Sequence, residues 1–340
     1  MHNYERTTLF IDGKWVEPYG NDAIEVIDPS TEKPIGSVPA GNTADVDAAV
    51  SAAKRAFDPL ISVAERRARV AAVIAAMEKR LPDIAETISR EMGAPLRIAQ
   101  TVQTQVPLAV ARGFADVLDT FEFEERVGNS LVLREPYGVV GAITPWNYPL
   151  YQVVAKVLPA IAAGCTVVLK PSNEAPLSVF EFVEAVEEAG LPAGVVNLVS
   201  GGGAVIGERI AEHPHVDFVS FTGSTTVGAR VGELAGRTVK KVALELGGKS
   251  ANVILEDADL PTAVKVGVGN AFLNGGQTCM AWTRMLVPRS RYGEALDIAR
   301  SAASKYTVGD PFDPDTRIGP SASAKQFDTV LGYVERAVRD

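Results

Sequence analysis

The sequence predicts an α/β protein built on a doubly wound parallel sheet with helices packed on both faces. Two observations predict this fold class. Between residues 139 and 246, short apolar runs of strand-forming residues alternate with helical stretches of about ten residues or more. The chain has 340 residues, of which 46% are hydrophobic and 22% are charged, as in folded globular proteins. At that length we expect two domains or one large α/β unit.

The charge and the cysteine content exclude several classes of protein. A net charge of −9, with no block of lysine and arginine, argues against nucleic acid or an anionic membrane surface as a partner. The apolar run at residues 153–165 is interrupted by Lys156 and is too short to span a membrane. Residues 1–6 contain no apolar signal core, so the sequence predicts a cytoplasmic protein. Two cysteines and three histidines predict neither a disulfide framework nor a bound metal.

The first third of the chain predicts a hairpin followed by helices. Leu9–Ile11 and Lys14–Val16 are apolar segments on either side of an Asp12-Gly13 turn. The helical spacing of apolar residues then predicts helices over residues 42–57, 63–81, 84–93 and 96–121. After these helices, the strand signals at 121–124 and 131–133, around Gly128-Asn129, predict a second hairpin.

The middle of the chain carries the alternation of strands and helices. The predicted strands cover residues 139–143, 166–169, 195–199, 216–221 and 241–246, and the helices between them cover 150–163, 177–189, 205–211 and 225–235. A second α/β segment begins after Gly247-Gly248 with a strand at 250–255. Doubly wound sheets bind ligands at the carboxyl ends of their strands, so we expect the functional residues where the strands end.

One predicted strand is followed by a turn that suits a phosphate group, in the segment Phe221-Thr222-Gly223-Ser224-Thr225-Thr226-Val227-Gly228. Gly223 allows a sharp turn, and Ser224 or Thr225 can cap a helix whose free N–H groups form an anion site. Because Thr225 stands where the G-x-G-x-x-G pattern has its second glycine, we expect a single phosphate contact. An ordinary strand-to-helix turn explains the segment equally well. The nearby Gly201-Gly202-Gly203 run does not fit the pattern and predicts a close approach of the backbone to another group.

Polar residues also follow two other predicted strands. Lys170 can reach a ribose hydroxyl or a phosphate, although a solvated lysine at a strand end is the simpler interpretation. Asn147, between Pro145 and Pro149, carries an amide that can stabilise an oxyanion by about 3 kcal/mol. The geometry of a turn between two prolines also favours asparagine, so both interpretations of Asn147 stay open.

Cys279, in the segment Asn274-Gly275-Gly276-Gln277-Thr278-Cys279-Met280, is the candidate nucleophile. The neighbouring glycines leave its thiol uncrowded, whereas the apolar context of Cys165 predicts a buried thiol. A nucleophilic thiol must become a thiolate, which requires a base or a positive field.

A carboxylate is the better candidate for the base. His2 is terminal, and His213 and His215 flank Pro214 in what we interpret as a surface loop. Glu245 lies within the apolar strand 242–246, where a carboxyl group can exchange protons near neutral pH. An outward-facing strand residue is the alternative interpretation of Glu245.

Taken together, five motifs in this order resemble the aldehyde dehydrogenase superfamily. They are Pro145-Trp146-Asn147-Tyr148-Pro149, Lys170-Pro171-Ser172, Phe221-Thr222-Gly223-Ser224, Leu244-Glu245-Leu246-Gly247-Gly248-Lys249 and Gly276-Gln277-Thr278-Cys279. The resemblance runs from the Asp12-Gly13 hairpin to Ile318-Gly319-Pro320. It implies a Rossmann-type domain with NAD(P) as its ligand (residues 1–120 and 135–247), an oligomerisation hairpin (121–134) and a second, catalytic α/β domain (248–340).

The resemblance also implies a reaction. Cys279 would attack the aldehyde carbon, the Asn147 amide and the Cys279 N–H would hold the oxyanion, and hydride would pass to NAD or NADP. Glu245 would then activate water to hydrolyse the thioester, and Lys156 matches a family lysine that passes the proton outward. The implied partners are a small aldehyde and further copies of the chain in a dimer or tetramer. The implied cofactor-binding residues are Ile143, Thr144, Trp146, Lys170, Ser172, Asn173, Gly203, Gly223, Ser224, Thr225, Thr226, Val227, Gly228, Leu246 and Gly247.

The sequence departs from the family pattern in two places. Many members carry glutamate where this chain has Asn173, and the missing carboxylate predicts that NADP is tolerated. Members also continue past residue 340, through a Glu-x-Phe-Gly-Pro segment and a C-terminal strand, so residues 248–340 resemble a truncated catalytic domain. Two alternatives therefore stand beside the oxidation: an inactive fragment that binds only the dinucleotide, and a CoA-acylating semialdehyde dehydrogenase. Glu245 argues against the second, because such enzymes often lack this base.

Overall fold

The structure, a computed structural model, describes residues 4–339. Residues 1–3 lie outside the described residues, as does Asp340; they include His2 and part of the segment on which the cytoplasmic prediction rests. Within residues 4–339 the fold is α/β, with a seven-stranded sheet and helices on both of its faces. The fold class predicted from the alternation of strands and helices is confirmed.

The strands and helices have the following residue ranges. The strands are β1 (Leu9–Ile11), β2 (Lys14–Val16), β3 (Ala23–Asp28), β4 (Lys33–Pro39), β5 (Glu124–Val127), β6 (Ser130–Leu133), β7 (Val139–Ile143), β8 (Thr166–Lys170), β9 (Val196–Leu198), β10 (Phe218–Thr222), β11 (Lys241–Glu245), β12 (Ala251–Val253) and β13 (Arg284–Leu286). The α-helices are α1 (Thr43–Ala56), α2 (Val63–Met92), α3 (Leu96–Ile98), α4 (Gln105–Thr120), α5 (Pro149–Ala162), α6 (Leu177–Glu188), α7 (Glu208–Glu212), α8 (Thr225–Gly236), α9 (Leu260–Phe272), α10 (Tyr292–Ala303) and α11 (Ala324–Arg339). Ala99–Gln103 and Gly203–Gly207 are π-helical, and Leu273–Gly276 and Arg289–Arg291 form 3₁₀ turns.

The large sheet has the strand order β11-β10-β7-β8-β9-β1-β2. Neighbouring strands from β11 to β9 are parallel, and β1 pairs antiparallel with both β9 and β2. Because β8 and β9 lie on one side of β7 while β10 and β11 lie on the other, the order of the strands reverses between β7 and β10. The ends of these strands, at Ile143 and Thr222, therefore border the topological switch point where doubly wound sheets bind ligands.

Side chains of the parallel strands alternate between two cores, one on each face of the sheet. Val140 and Leu169 belong to the core shared with α2, α5 and α6. Val139 and Val168 belong to the core shared with α1, α7 and α8. Burying one valine or leucine side chain contributes about 1.5–3 kcal/mol. The two cores together fix the register of the sheet, because a slip of one residue would exchange the two sets.

The long helix α2 continues where the sequence predicts an interruption. Pro82 lies inside it, yet Met77 and Ile84 pack into the same core on either side of the proline. This packing outweighs the hydrogen bond that proline removes. The helix ends at Gly93, whose φ of 79° is the left-handed conformation that glycine adopts without strain.

Two hairpins also differ from the prediction. β5 begins at Glu124, three residues later than predicted, because Phe121 ends α4 and its ring packs edge-on against Phe123. The hairpin of β3 and β4 is not predicted, because Pro34 and Gly36 interrupt the apolar alternation of its second strand. The predicted helix at 205–211 is likewise π-helical up to Gly207.

The chain after β11 forms a smaller α/β unit. β12 and β13 pair in parallel, and a separate core forms around Ile254, Leu260 and Val264. Within residues 4–339 we find no helix with the length and hydrophobicity to span a membrane. Large apolar side chains at helical spacing are exposed on α11: Phe327, Val330, Leu331, Val334 and Val338.

A buried carboxylate joins α2 to the start of α6. Glu91 Oε2 accepts a hydrogen bond from the Leu177 N–H at 2.6 Å. Its Oε1 accepts from the N–H and the hydroxyl of Ser178, at 3.1 and 2.5 Å. These N–H groups open a helix and have no carbonyl partner within it. Burial raises the pKa of Glu91 to about 8, although the bonds from Ser178 and Leu177 work in the opposite direction.

Replacing Glu91 with alanine should lower the free energy of unfolding by about 2–3 kcal/mol, because buried donors lose their acceptor. Glu78→Ala, at an exposed ion pair of the same helix, is the control and should cost less than about 1 kcal/mol. Folded Glu91 keeps its proton up to about pH 8, whereas the unfolded side chain loses it near 4.5. Its contribution is therefore complete below pH 4.5 and is lost as the pH rises through 8. Urea denaturation across this range measures it, and a contribution that grows with pH contradicts the assignment.

Candidate active site

Cys279 lies in a loop that makes a sharp turn, because the residues before it have left-handed backbone conformations. Asn274, Gly275 and Gly276 have φ values of 57°, 66° and 76°. Glycine adopts this conformation without strain and asparagine tolerates it. The loop follows α9 and leaves Cys279 exposed, whereas Cys165 is buried. The glycines before the cysteine are therefore needed for the turn of the backbone.

Asn147 follows β7 and reaches the cysteine loop. Its Nδ2 donates a hydrogen bond to the carbonyl oxygen of Gln277 at 2.8 Å. The hydroxyl of the next residue, Tyr148, lies 2.8 Å from Oγ1 of Thr278. A side-chain amide carries two N–H hydrogens, so the bond to Gln277 leaves one of them for another acceptor. These contacts bring Asn147 and the loop of Cys279 together.

Buried amide groups lie behind this contact. Gln103 Nε2 donates to the carbonyl oxygen of Asn147 at 3.0 Å and to Oδ1 of Asn274 at 3.2 Å. Asn274 Nδ2 donates to the same Asn147 carbonyl at 2.9 Å. The Gln277 side chain extends the network, because its Oε1 accepts from the Ala322 N–H at 3.0 Å. The sequence gives no signal for Gln103, since a single glutamine in a helical segment is ordinarily a surface residue.

Glu245 ends β11 and is exposed, so the predicted apolar surroundings are wrong. β11 is the edge strand of the large sheet, and within residues 4–339 no further strand pairs with its free side. The Glu245 carbonyl accepts from the Gly223 N–H at 3.0 Å. Three residues past the end of β11, a Cβ at Gly248 would lie 3.2 Å from the carbonyl oxygen of Cys279. The end of β11 therefore connects the turn after β10 with the cysteine loop.

Lys156 on α5 is buried near Glu245. Its side chain is 7% exposed, and Nζ donates to Oγ of Ser220 at 3.1 Å. Burial lowers the pKa of Lys156 to about 8, and the charge of Glu245 works in the opposite direction. The amine can therefore release and accept a proton near neutral pH.

Predicted cofactor residues border the switch point from both sides. Ile143 ends β7, Thr144 follows it, and Lys170 ends β8. A Cβ at Gly207 would lie 3.9 Å from both Ile143 Cδ1 and Lys170 Cδ, so the π-helical segment passes over both strand ends. Of the other predicted residues, Gly203, Ser224, Thr225, Thr226, Val227 and Gly247 are exposed, Trp146, Ser172, Asn173, Gly223 and Leu246 are half-buried, and Gly228 is buried.

The turn after β10 differs in detail from the predicted phosphate loop. Ser224 Oγ accepts from the Val227 N–H at 3.3 Å and caps α8. The Gly223 N–H is bonded to Glu245 and is not free for a phosphate. Glycine is required here by packing, because a Cβ at Gly223 would lie 2.5 Å from the ring of Phe221. The first turn of α8 is exposed and remains the candidate anion site of this segment.

Lys170 is 4% exposed, so its interpretation as a solvated lysine is wrong. Its Nζ donates to the Pro171 carbonyl at 2.7 Å. Burial lowers the pKa of Lys170 to about 8, opposed by the charge of Glu174, which accepts a hydrogen bond from the Ser172 hydroxyl. A buried amine at one end of the groove and an exposed helix N-terminus at the other fit the hydroxyl and phosphate groups of a dinucleotide.

His213 is buried and does not lie at the surface as predicted. Its Nδ1 accepts from the His215 N–H at 3.1 Å, and its carbonyl accepts from Lys240 Nζ at 2.6 Å. Its Nε2 lies 3.5 Å from Oδ1 of Asp47. Among the described residues, no group of three His, Cys, Asp or Glu side chains is arranged to hold a metal ion.

Comparison with known proteins assigns the family. The sequence profile of the aldehyde dehydrogenase family matches residues 15–340. The 3-succinoylsemialdehyde-pyridine dehydrogenase of a Pseudomonas species is 49% identical over 348 residues, which cover 100% of this chain and 72% of that protein. The chain belongs to the aldehyde dehydrogenase family of oxidoreductases, as its five motifs predict.

Solved structures agree with this assignment. A cysteine-to-alanine mutant of aldehyde dehydrogenase C from Pseudomonas syringae, in complex with NAD+ and octanal, matches with a TM-score of 0.96 and 43% identity. The match covers 99% of this chain and 70% of that one. The NAD+ complex of an aldehyde dehydrogenase from Bacillus cereus matches with a TM-score of 0.95 and 34% identity, over 98% of this chain and 70% of that one.

Replacing Lys156 with methionine should raise the free energy of unfolding by about 1–3 kcal/mol at neutral pH, because a buried ammonium group is removed. Folded Lys156 loses its proton near pH 8, whereas the unfolded side chain keeps it until about 10.5. Burial of the charged Lys156 amine therefore lowers the free energy of unfolding below pH 8, and this effect has disappeared above pH 10.5. Chemical denaturation from neutral to alkaline pH should show the gain shrinking. Lys265→Met, at an exposed lysine of α9, is the control, and an equal gain at every pH contradicts the prediction.

Proposed function

We propose that the protein oxidises an aldehyde to a carboxylic acid, with NAD or NADP as the acceptor. The observation that carries this proposal is the convergence of three groups beside the groove at the switch point. Cys279 is exposed, Asn147 is bonded to the loop two residues before it, and Glu245 lies on the strand that runs toward it. A semialdehyde in the name of one relative and octanal in a solved relative support an aldehyde substrate.

Cys279 is the proposed nucleophile. The exposed thiol releases its proton to solvent, the thiolate sulfur forms a bond to the aldehyde carbon, and the electron pair of the C=O bond moves to oxygen. The second N–H of Asn147 and the backbone N–H of Cys279 are the proposed donors to this oxyanion. One such donor contributes about 3 kcal/mol in other enzymes. The product of this step is a thiohemiacetal on Cys279.

The groove at the switch point is the proposed site of NAD or NADP. The chemistry that this cofactor supplies is acceptance of a hydride, which converts the thiohemiacetal into a thioester. Lys170 is the proposed partner of the ribose hydroxyls, and the first turn of α8 is the proposed partner of a phosphate. Ile143 lies on the floor of the groove, and Val227, about half exposed on α8, offers an apolar surface to the adenine. The NAD+ complexes among the solved relatives support this placement.

Glu245 is the proposed general base for the last step. Its exposed carboxylate takes a proton from water, the water oxygen forms a bond to the thioester carbon, and the C–S bond breaks to release the acid and the Cys279 thiolate. The proton can then pass to the unprotonated fraction of Lys156, since the buried amine interacts with Glu245 and its pKa is lowered to about 8. Glu245 and Lys156 thus act on the second half of the reaction, after hydride has left the substrate.

Rapid mixing of the protein with NAD and an aliphatic aldehyde tests these roles. We expect a burst of NADH followed by slower turnover in the wild type, and neither in Cys279→Ala, which has no nucleophile. Glu245→Gln should keep the burst, but its steady-state rate of NADH formation should fall by about 10²-fold or more, because hydrolysis of the thioester is slowed. Cys165→Ala, at the buried cysteine, is the control and should keep both phases.

Three outcomes of this experiment contradict the proposal. Turnover by Cys279→Ala would exclude the nucleophile. Cofactor binding without any NADH in the wild type would favour a protein that only binds the dinucleotide. If Glu245→Gln regains steady turnover when CoA is added, while wild-type turnover is slow in buffer without CoA, acyl transfer to CoA would be favoured over hydrolysis.

The choice of cofactor depends on Asn173. This side chain adds no carboxylate of its own, and the nearby carboxylate of Glu174 accepts a hydrogen bond from the Ser172 hydroxyl, so we expect turnover with NADP within about tenfold of that with NAD. Asn173→Glu should lower kcat/KM for NADP by about 10- to 100-fold and leave NAD nearly unchanged, because a carboxylate repels the 2′-phosphate. Steady-state rates with both cofactors test this, and strict use of NAD by the wild type contradicts it.

We also propose the division of the chain that the motifs predict. Residues 1–120 and 135–247 are the proposed cofactor domain, 248–340 the catalytic domain and 121–134 an oligomerisation hairpin. The hairpin exposes Val127, Leu131 and Leu133 to about half of their full surface. Apolar surface of this kind is typical of a contact between subunits, which supports a homodimer or homotetramer.

A further inference from the structure

The side chain of Gln103 is fully buried beside the proposed site and has polar partners on two sides. Its Nε2 lies 3.0 Å from the Asn147 carbonyl oxygen and 3.2 Å from Asn274 Oδ1. Both partners are acceptors, so the NH₂ end of the amide must face them and its orientation is fixed. Gln103 thus touches the segment that carries Asn147 and the loop that carries Cys279.

The local backbone is arranged to present this side chain. Gln103 ends the π-helical segment Ala99–Gln103, and single π turns inside helices are frequent at functional sites. The Thr104 hydroxyl lies 3.0 Å from the carbonyl oxygens of both Ala99 and Gln100 and can donate its hydrogen to either. The irregular turn is therefore supported by a side chain of its own.

Packing alone does not account for a glutamine at this position. Its Oε1 is buried and has no hydrogen-bond partner among the described residues. An apolar side chain of similar size would fill the space without burying an unpaired oxygen. What glutamine adds is the NH₂ group, whose two hydrogens join the Asn147 carbonyl to Asn274.

The contacts of Gln103 and Asn274 are made to the backbone of Asn147, the residue whose side-chain amide is the proposed oxyanion donor. The Asn147 carbonyl accepts from Gln103 and Asn274, while the Asn147 amide donates to the Gln277 carbonyl, two residues before Cys279. The residue is therefore held at both its backbone and its side chain. A shift of about 1 Å in such a group can cost about 100-fold in rate.

We propose that Gln103 is a positioning residue that holds the Asn147 amide in register with the sulfur of Cys279, so that both act on one carbonyl group. The inference rests on the roles given to Asn147 and Cys279 in the proposed function. It assigns Gln103 no contact with substrate or cofactor.

The test separates reactions of Cys279 that need an oxyanion donor from those that do not. With p-nitrophenyl acetate, the sulfur bonds to the acyl carbon through an oxyanion, and the C–O bond breaks to release p-nitrophenolate. With iodoacetamide, the sulfur displaces iodide from carbon and no oxyanion forms. Neither reaction needs NAD or transfer of hydride. Mass spectrometry of the labelled peptide confirms that Cys279 is the site.

Gln103→Met keeps the size of the side chain and removes the donors. We expect acylation to slow by about 10- to 100-fold, with alkylation by iodoacetamide within about twofold of wild type. Gln100→Met, at an exposed residue of the same π-helical segment, is the matched control and should change neither rate. Unchanged acylation, or an equal loss in both reactions, overturns the proposal, because the second result means that the loop as a whole is disturbed.

Gln103→Glu covers the case in which the methionine variant does not fold. When ionised, its carboxylate faces two acceptor oxygens, so acylation relative to wild type should be slow at alkaline pH and should recover as the pH falls and the carboxyl group supplies an O–H donor. A deficit that is the same at every pH overturns the need for a donor. In the Asn147→Ala background the effect of Gln103→Met on acylation should vanish, and a full additive effect there also contradicts the proposal.

The outcomes for Gln103 and for the proposed function can be told apart. Aldehyde-dependent formation of NADH by the wild type reports on the function, and acylation by the ester reports on Gln103. If the wild type forms no NADH while its acylation depends on Gln103 as expected, the function fails and the positioning role stands. If NADH forms and Gln103→Met acylates at the wild-type rate, the proposed function is supported and the positioning role of Gln103 is contradicted.

Discussion

The hydrogen bond from the Asn147 side chain to the Gln277 carbonyl connects the two parts of the site. Asn147 follows a central strand of the large sheet, and Gln277 belongs to the loop of the smaller unit. The bond therefore sets the position of Cys279 relative to the groove. A single hydrogen bond contributes about 1 kcal/mol net. The buried amides of Gln103 and Asn274 add bonds to the same segment, and together they restrict movement that one bond would allow.

The arrangement of the sheet explains why distant segments meet here. Parallel strands end at the same edge, so β7, β8, β10 and β11 each deliver their following residues to one side of the molecule. The reversal of strand order between β7 and β10 opens the groove at that side. β11 lies at the edge of the sheet, and the chain passes from it directly into the unit that carries Cys279. The sheet thus supplies the groove, and its last strand supplies the connection to the proposed nucleophile.

The parts of the fold that the sequence predicts are those governed by local periodicity. Alternating strands and helices follow from apolar spacing, because both faces of a parallel strand are buried. The surroundings of Lys170 and Glu245 could not be predicted in this way. Glu245 is exposed because β11 has a neighbour on one side only, and Lys170 is buried because the π-helical segment at Gly203–Gly207 covers its strand end. Gln103 depends on contacts across 171 residues of chain to Asn274, which no local pattern contains.

The packing of Gly223 under the ring of Phe221 bears on how such motifs are read in other chains. A methyl group at that position would collide with the aromatic ring whether or not a nucleotide is ever bound. The amide of the same glycine completes the pairing with the edge strand. A descendant that had lost its cofactor would therefore be under pressure to keep this glycine for folding alone. The exposed residues of α8 are not needed for this packing. Changes in their sequence would therefore indicate that cofactor binding had been lost.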